Sequence, residues 1–440
     1  MNTIKEDGLL RPDRQPLGQN TQGFWNEKRL QSEMQRVFSA CHSCRRCHSL
    51  CHSFPTLFDL IDNAGSMDVE GVNPEDYWKV VDSCFLCDLC FLSKCPYVPP
   101  HEWNIDFPHL MLRAKAVRYR RDGARLRDRL LSSPDKIGRI ASRPLLRQAY
   151  HYLRKSPTGR KLLHKTLGIH KQAWLPEYPA RSLSQRWKTH PQPARHRETG
   201  NKVAIFATCY GNYSQPQIGE DLICILEHND IQVKLIDDCQ CCAMPRLELG
   251  DLDTVNLAMN TNIPRMAELI ADGWDIVSLI PSCTLMFKQE LPLMFPERTA
   301  VLQVKLAIYD PFEYLMRLYR SKQLKIDFRR GLGRIVYHVA CHQRAQRAGQ
   351  QTRKLLELIP DTEVTPVERC SGHDGSYAMK SEHHVNATSL CAPVARRIQQ
   401  QQADAYTSDC FLAGHHISNT LANGSTPVHP ISLLRRAYAI

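Results

Sequence analysis

Short apolar runs rich in β-branched residues alternate with helix-like patterns over the second half of the chain. The runs are Val203–Ala207, Val233–Ile236, Ile276–Ile280, Ile335–Val339 and Tyr406–Leu412. Such alternation predicts βα units and parallel sheets. Cys209, Cys283 and Cys341 each follow a run within a few residues. Open α/β sheets place their ligands beyond the carboxyl ends of the strands, so these cysteines are expected to converge. The pattern also repeats. Cys209 to Cys341 is an offset of 132 residues, Cys242 to Cys370 is 128 and Cys283 to Cys410 is 127. Val203-Ala-Ile-Phe-Ala-Thr-Cys209 resembles Ile335-Val-Tyr-His-Val-Ala-Cys341, and Cys241-Cys242-Ala243 resembles Cys370-Ser371-Gly372. Two similar α/β halves facing each other follow from this.

Upstream the periodicity is helical. Residues 1–35 read as a flexible lead-in that ends in a helix through Glu33, Met34, Arg36 and Val37, and further helices are expected over Leu110–Leu131 and Pro144–Leu153. Pro176, Pro179, Pro191 and Pro193 lie in an apolar-poor stretch that reads as an interdomain linker. A chain of 440 residues suggests several domains. No long apolar run spans a membrane, and the polar start lacks a signal-peptide core. Clustered cysteines in a reducing compartment therefore read as metal ligation or redox chemistry rather than as disulfides.

There are 18 cysteines, and eight fall in two groups. The first is Cys41-x-x-Cys44-x-x-Cys47-x-x-x-Cys51, and the second is Cys84-x-x-Cys87-x-x-Cys90-x-x-x-x-Cys95-Pro96. Thiolates at C-x-x-C-x-x-C spacing wrap one face of a cubane cluster, while the outlying fourth points to the neighbouring cluster. By that logic one set is Cys41, Cys44, Cys47 and Cys95, and the other is Cys84, Cys87, Cys90 and Cys51. Zinc in four-cysteine sites is the alternative. Four residues rather than three precede Cys95, and His52 rather than Pro follows Cys51. His42, His48 and His52 lie among the thiols and read as surface imidazoles. Helix-like stretches at Pro55–Asp62 and Pro74–Ser83 favour a helical ferredoxin over a β-rich one.

Charge changes the picture once it is located. The net charge is +12, yet residues 101–200 hold 23 Lys and Arg against 7 Asp and Glu. A near-neutral body thus carries one basic segment. It suits an anionic lipid surface or an acidic partner protein. Nucleic acid is not expected, because no recognised fold signature accompanies the charge.

The eight N-terminal cysteines, Cys241-Cys242-Ala-Met-Pro-x-x-Glu-x-Gly-Asp251, Tyr337-His-x-x-Cys-His342 and Arg369-Cys-Ser-Gly-His373 resemble the C-subunit of anaerobic glycerol-3-phosphate dehydrogenases. More broadly, they resemble iron–sulfur oxidoreductases related to heterodisulfide reductase. The resemblance covers residues 35–440, including Ile105-Asp-Phe-Pro-His-Leu-Met-Leu-Arg-Ala-Lys115. It implies an α+β multidomain protein: lead-in 1–35, an α-helical 2[4Fe–4S] ferredoxin domain 36–100, a basic helical segment 101–175 and a linker 176–200. Two cysteine-rich α/β domains of CCG type, 201–325 and 326–440, complete it. The first copy supplies Cys209, Cys241, Cys242 and Cys283, enough thiols for a third iron–sulfur cluster. Ala243 stands where Gly is usual and Met286 where a last Cys is usual. The second copy supplies Cys341, Cys370 and Cys410, with Ser371 and Ala413 in place of two more. Cys224 and Cys391 read as buried hydrophobes, and Cys239 as the end of a strand or a member of the site. His338, His342 and His373 flank the site as hydrogen-bond donors or proton carriers, or as ordinary structural histidines.

The chain shows no Gly-rich flavin or nicotinamide fingerprint of its own. The expected role is an electron-transfer subunit of a cytoplasmic complex attached peripherally to the inner face of the membrane. A partner flavoprotein dehydrogenase, or another redox subunit, would supply the electrons, and a quinone or other acceptor would take them. The alternative is a disulfide-reductase-like enzyme acting at the duplicated cysteine-rich site. Its objection is the missing cysteines at 286, 371 and 413.

Overall fold

A computed structural model describes residues 12–191, 200–236 and 239–440. The start of the expected lead-in and Pro193 of the expected linker lie outside the described residues. The chain forms two compact units: 1–124 with 246–253 and 292–297, and the remainder.

The first unit is helical among its described residues. The helix Glu27–Cys44 is capped by the Asn26 side chain, which accepts from the Arg29 amide, and ends at Arg45 in the left-handed region. Leu30, Met34, Val37 and Phe38 fall on one face at helical spacing and are buried. They meet Phe54, Leu57, Phe58 and Ile61 of the helix Ser53–Asp62 and Val80 and Val81 of the helix Tyr77–Asp82. Phe107, Leu110, Met111 and Ala114 of the helix Phe107–Asp122 close the core. The rings of Phe54 and Phe107 pack in a tilted pair with centroids 4.7 Å apart. The apolar residues of 107–112 therefore face this core rather than lipid.

Two expectations change here. From Pro12 onward the lead-in is packed, not flexible: the Asp13 amide donates to the Pro99 carbonyl and the Leu17 amide to the Leu293 carbonyl. Arg14 is the reason. Its guanidinium is buried between Asp88 and Asp106, at 2.6 and 2.7 Å, and lies over the Phe91 ring. The basic segment is also divided. The helix Phe107–Asp122 belongs to the first unit and stops at Gly123, whose φ is +71°, whereas residues from Arg125 onward belong to the second.

The second unit holds two parallel sheets. β1 (Lys202–Phe206), β2 (Gln232–Leu235), β3 (Asp275–Ser278) and β4 (Ile308–Tyr309) lie in the order β2-β1-β3-β4. β5 (Gly333–His338), β6 (Thr362–Val367) and β7 (Ala405–Ser408) lie in the order β6-β5-β7. The shared order β2-β1-β3 and β6-β5-β7 is the structural form of the sequence repeat. Buried runs such as Val203–Phe206 explain the strands, since parallel sheets are covered on both faces. The two halves also exchange helices. Pro311–Arg320, after β4, packs on Gln351–Leu356 of the second half, and Arg320 donates to the Gln351 side chain at 3.0 Å. Pro430–Tyr438, after β7, packs on Pro216–His228 of the first, and Arg435 pairs with Asp221 at 2.7 Å.

The expected linker is partly structured. Tyr178 is buried, and Ser182 forms a capping box that opens the short helix Leu183–Trp187.

Candidate metal centre

The two N-terminal groups are shaped by their turns. Leu86 and Asp88, on either side of Cys87, and Arg45, next to Cys44, are non-glycine residues with positive φ. Such strain persists where the surroundings over-determine it. The longer Cys90-to-Cys95 spacing is absorbed by a π-turn over Cys90–Lys94, closed by the Cys95 amide on the Cys90 carbonyl at 2.9 Å.

The structure brings the eight thiols within electrostatic reach of one another, and Cys47 reaches members of both groups. Burial pushes Cys41 up, and the charges of Cys95, Cys47 and Cys44 push it further. Cys90 is likewise raised by burial, then by Cys47, Cys84, Cys87 and Cys51. Cys47 is pushed up to about 12 by burial, Cys95 and Cys44, against the opposing charges of Lys94 and Arg46. Cys84 and Cys90 are buried, whereas the other six are half-buried. Lys115 donates to the Cys84 carbonyl at 2.7 Å. The Tyr97 hydroxyl is raised chiefly by the charge of Cys44. Of the three histidines, His42 pairs with Asp62 at 2.9 Å.

In the second unit the cysteines lie beyond the strand ends, as expected. Cys209 opens a short helix after β1, and Thr208 caps it by accepting from the Gly211 amide. Cys241 and Cys242 follow β2. Their loop is pinned by the buried Asn262, which accepts from the Gln240 amide at 2.8 Å and donates to the Gln240 and Cys241 carbonyls. Cys283 lies in the helix Pro281–Leu285 after β3. The sulfurs of Cys209 and Cys241 are 3.5 Å apart, and those of Cys242 and Cys283 are 3.0 Å apart. Cys209 is raised by its hydrogen bond with Cys241 and then by burial, and Cys242 by hydrogen bonds with Cys241 and Cys283 and by burial.

The second copy is built the same way on three adjacent strand ends. Cys341 opens a helix after β5, Cys370 follows β6 and Cys410 caps the helix Phe411–Leu421 after β7. His338 ties the ends together: Nε2 faces the Arg369 carbonyl at 3.0 Å and Nδ1 faces Ser408 Oγ at 2.9 Å. Burial pulls this imidazole down to about 4, so it is neutral. The carbonyl can only accept, which puts the proton on Nε2 and lets Nδ1 accept from Ser408. His342 bridges the copies, with Nδ1 2.8 Å from Ser282 Oγ.

The shared backbone turn refines the repeat. Ala243 and Gly372 both have left-handed backbones, with φ of 69° and 70°. Cys241, rather than Cys242, is therefore the counterpart of Cys370. Met286 is fully buried and starts a π-turn, and Ser371 and Ala413 are also buried. Cys391 is core, packed with Val336, Val367 and Tyr406. Cys224 is a half-buried residue of the helix Pro216–His228, and Cys239 is half-buried in the loop after β2.

Sequence reasoning missed two carboxylates. Asp135 begins the helix Pro134–Ala141, which packs on the Cys209 helix because Gly138 leaves room for Tyr213. Burial and the charge of Cys241 raise Asp135. Asp374 acts on both Cys341 and Cys370. Neither stands at a recognised ligand spacing, so no sequence signal marked them.

Among the described residues, no group of three His, Cys, Asp or Glu side chains closes around one point as the shell of a single ion would. The sets are defined instead by soft sulfur donors within electrostatic reach of one another. That donor chemistry fits thiophilic metals, whose binding deprotonates the thiol and removes the mutual repulsion.

The cysteine-rich domain named CCG matches residues 203–288 and 335–415. The C-subunit of anaerobic glycerol-3-phosphate dehydrogenase from Escherichia coli K12 is 28% identical over 350 residues, covering 76% of this chain and 83% of that protein. The B-subunit of fumarate reductase (CoM/CoB) from Methanothermobacter marburgensis is 24% identical over 411 residues, covering 90% and 71%. Lactate utilization protein A of Bacillus licheniformis is 25% identical over 202 residues, covering 43% and 82%. The chain thus carries two stretches that match the CCG cysteine-rich domain and is similar over most of its length to subunits of a dehydrogenase and a reductase.

Proposed function

We propose that this chain is the iron–sulfur electron-transfer subunit of an oxidoreductase complex. It takes electrons from a flavoprotein dehydrogenase or other redox subunit and passes them toward a quinone or other acceptor. The observation that supports the reading is that Cys95 of the second group reaches Cys41 and Cys47, while Cys51 and Cys47 of the first reach Cys90; we assign Cys41, Cys44 and Cys47 with Cys95 to one set and Cys84, Cys87 and Cys90 with Cys51 to the other. Each set would hold one [4Fe–4S] cluster, which accepts and releases one electron when bound. The protein's own part is to shape the surroundings. It buries Cys84 and Cys90, fixes the Cys87 loop through Asp88 on Arg14, and leaves the Cys41 set closer to solvent beside Arg46 and Lys94. The four thiols of Cys209, Cys241, Cys242 and Cys283 support a third cluster in the first cysteine-rich domain.

The complex would sit on the cytoplasmic face of a membrane. No helix among the described residues is long and apolar enough to cross one. Support comes from the helix Pro144–Lys155, which buries none of its residues and exposes Leu145, Leu146 and Tyr152 beside Arg143, Arg147 and Lys155.

Cys51→Ser tests the two-cluster reading in anaerobically purified full-length protein. Iron should fall by about four atoms per chain, and the spin-coupled EPR signal of the reduced protein should collapse to that of one isolated cluster. Colourless protein holding stoichiometric zinc would sink the reading. The rival, a disulfide-reducing site, draws on the close sulfur pairs Cys209–Cys241 and Cys242–Cys283. It requires disulfide cleavage that survives loss of the N-terminal clusters when a chemical reductant is supplied.

A further inference from the structure

Three ring side chains stand together just past the end of the second cysteine group. Tyr97 lies two residues beyond Cys95 and packs on the same core as Cys41, Cys47 and Cys95. Its ring meets that of Trp103 with centroids 4.5 Å apart and that of His101 at 5.2 Å, and His101 meets Trp103 at 5.5 Å. Trp103 is 44% exposed. We propose that this platform is where the redox partner docks, and that the partner is a flavoprotein presenting an acidic face.

The proposal rests on the iron–sulfur reading of the chain, and the loop itself supports it first. The backbone holds Trp103 in place and leaves its indole free to touch a partner. The His101 amide donates to the Val98 carbonyl at 3.0 Å, the Asn104 amide to the His101 carbonyl at 2.9 Å and the Ile105 amide to the Tyr97 carbonyl at 2.9 Å. The Trp103 amide donates to His101 Nδ1 at 3.0 Å, and Arg36, itself paired with Glu33, donates to the Trp103 carbonyl at 2.8 Å. A large ring kept exposed on a fixed loop is already ordered before binding, which is what makes a tryptophan an anchor of an interface.

Position supports it next. Cys41, Cys44, Cys47 and Cys95 are half-buried, whereas Cys84 and Cys90 are buried. Trp103 touches Tyr97, and Tyr97 is close along the chain to Cys95, so a partner seated here approaches the more open sulfurs. Electron transfer fades steeply with distance, so a donor gains most on this face.

Charge selects the class of partner. Arg46 and Lys94 adjoin Cys47 and Cys95 in the chain, are exposed, and among the described residues neither pairs with a carboxylate. Basic flanks steer an acidic protein, and electron-transfer encounters need less than about 1,200 Å² of interface. A protein suits the platform better than a lipid leaflet does. The exposed Glu102 stands next to Trp103, and insertion would bury its carboxylate.

The test uses full-length protein purified anaerobically and reduced either by two-electron-reduced flavodoxin, a small acidic flavoprotein, or by dithionite. Each flavodoxin encounter moves one electron to the chain's iron–sulfur chromophore and leaves the flavodoxin one-electron-reduced; stopped-flow absorbance follows it. In wild type the flavodoxin rate should fall with added salt. Trp103→Ala and Lys94→Glu should each lower that rate at least about tenfold, with dithionite reduction and circular dichroism unchanged. A carbodiimide should join Lys94 to a flavodoxin carboxylate, located by mass spectrometry, and the link should fade in Trp103→Ala. Equal rates in all three proteins, a rate indifferent to salt, or wild type reduced by dithionite and not by flavodoxin each overturn the docking site. Binding to phosphatidylserine vesicles that Trp103→Ala abolishes, with the flavodoxin rate unchanged, would give the platform to lipid instead. A colourless chain that still forms the Lys94 cross-link keeps the docking site and overturns the iron–sulfur reading; a colourless chain without the cross-link overturns both.

Discussion

Ala243 shows how much a single backbone angle fixes. A left-handed conformation costs an L-residue roughly 1–2 kcal/mol, and Ala243 bears it where Gly372 does not. Ala243→Gly should therefore be neutral or stabilising by up to about 1 kcal/mol, after the flexibility gained by the unfolded chain is subtracted. Gly372→Ala should cost about 3 kcal/mol, because the new Cβ meets the rigid Ala387 carbonyl. Urea unfolding of the two variants checks both signs; equal effects would mean the turns are not equivalent. At this scale the thiols were legible and their partners were not. Cysteine spacing carries ligand geometry directly, whereas Asp135 and Asp374 reach the sulfurs only through a helix contact and a glycine turn.

At the level of elements, the apolar runs predicted five of the seven strands to within a few residues. β4 has only two residues, too few for any periodicity. β6 alternates polar residues and contains Pro366, which ordinarily argues against a strand. The run Tyr406–Leu412 reads as continuous, yet the strand stops at Ser408 and a helix begins at Phe411, with Cys410 at its N-terminal boundary. The helix Pro144–Lys155 matters for a different reason. Leu145 and Tyr152, seven residues apart, share one face and are 80% and 61% exposed. Inserting a Leu side chain is worth about 1.5–3 kcal/mol, and each basic neighbour about 1 kcal/mol near anionic lipid. The double variant Leu145→Asp, Tyr152→Asp should weaken binding to phosphatidylserine-containing vesicles at least about tenfold. Binding unchanged by the variant, or by salt, would remove the membrane from the picture.

For the molecule, two features of its units matter. In the second, His415, His416 and His429 are each pulled down to about 4, all chiefly by burial. Their free value lies near 6.5. Below that pH the unfolded chain takes up protons the folded one refuses, so stability is full above 6.5 and falls as pH drops toward 4. Each group contributes a slope of up to about 1.4 kcal/mol per pH unit. The urea midpoint should fall between pH 7 and pH 5, and His429→Gln should flatten the decline; a midpoint indifferent to pH would mean these imidazoles are solvated. In the crossed ligation proposed for the first unit, the segment 41–51 would lend its last cysteine to the set of the segment 84–95, and the later segment would lend its last back. The two strips of chain would then form a clasp. Neither could peel away without opening both sets, so local fraying of one would become a concerted release. Maturation of this unit would then be all-or-none: a pool of full and empty molecules, with half-loaded ones scarce.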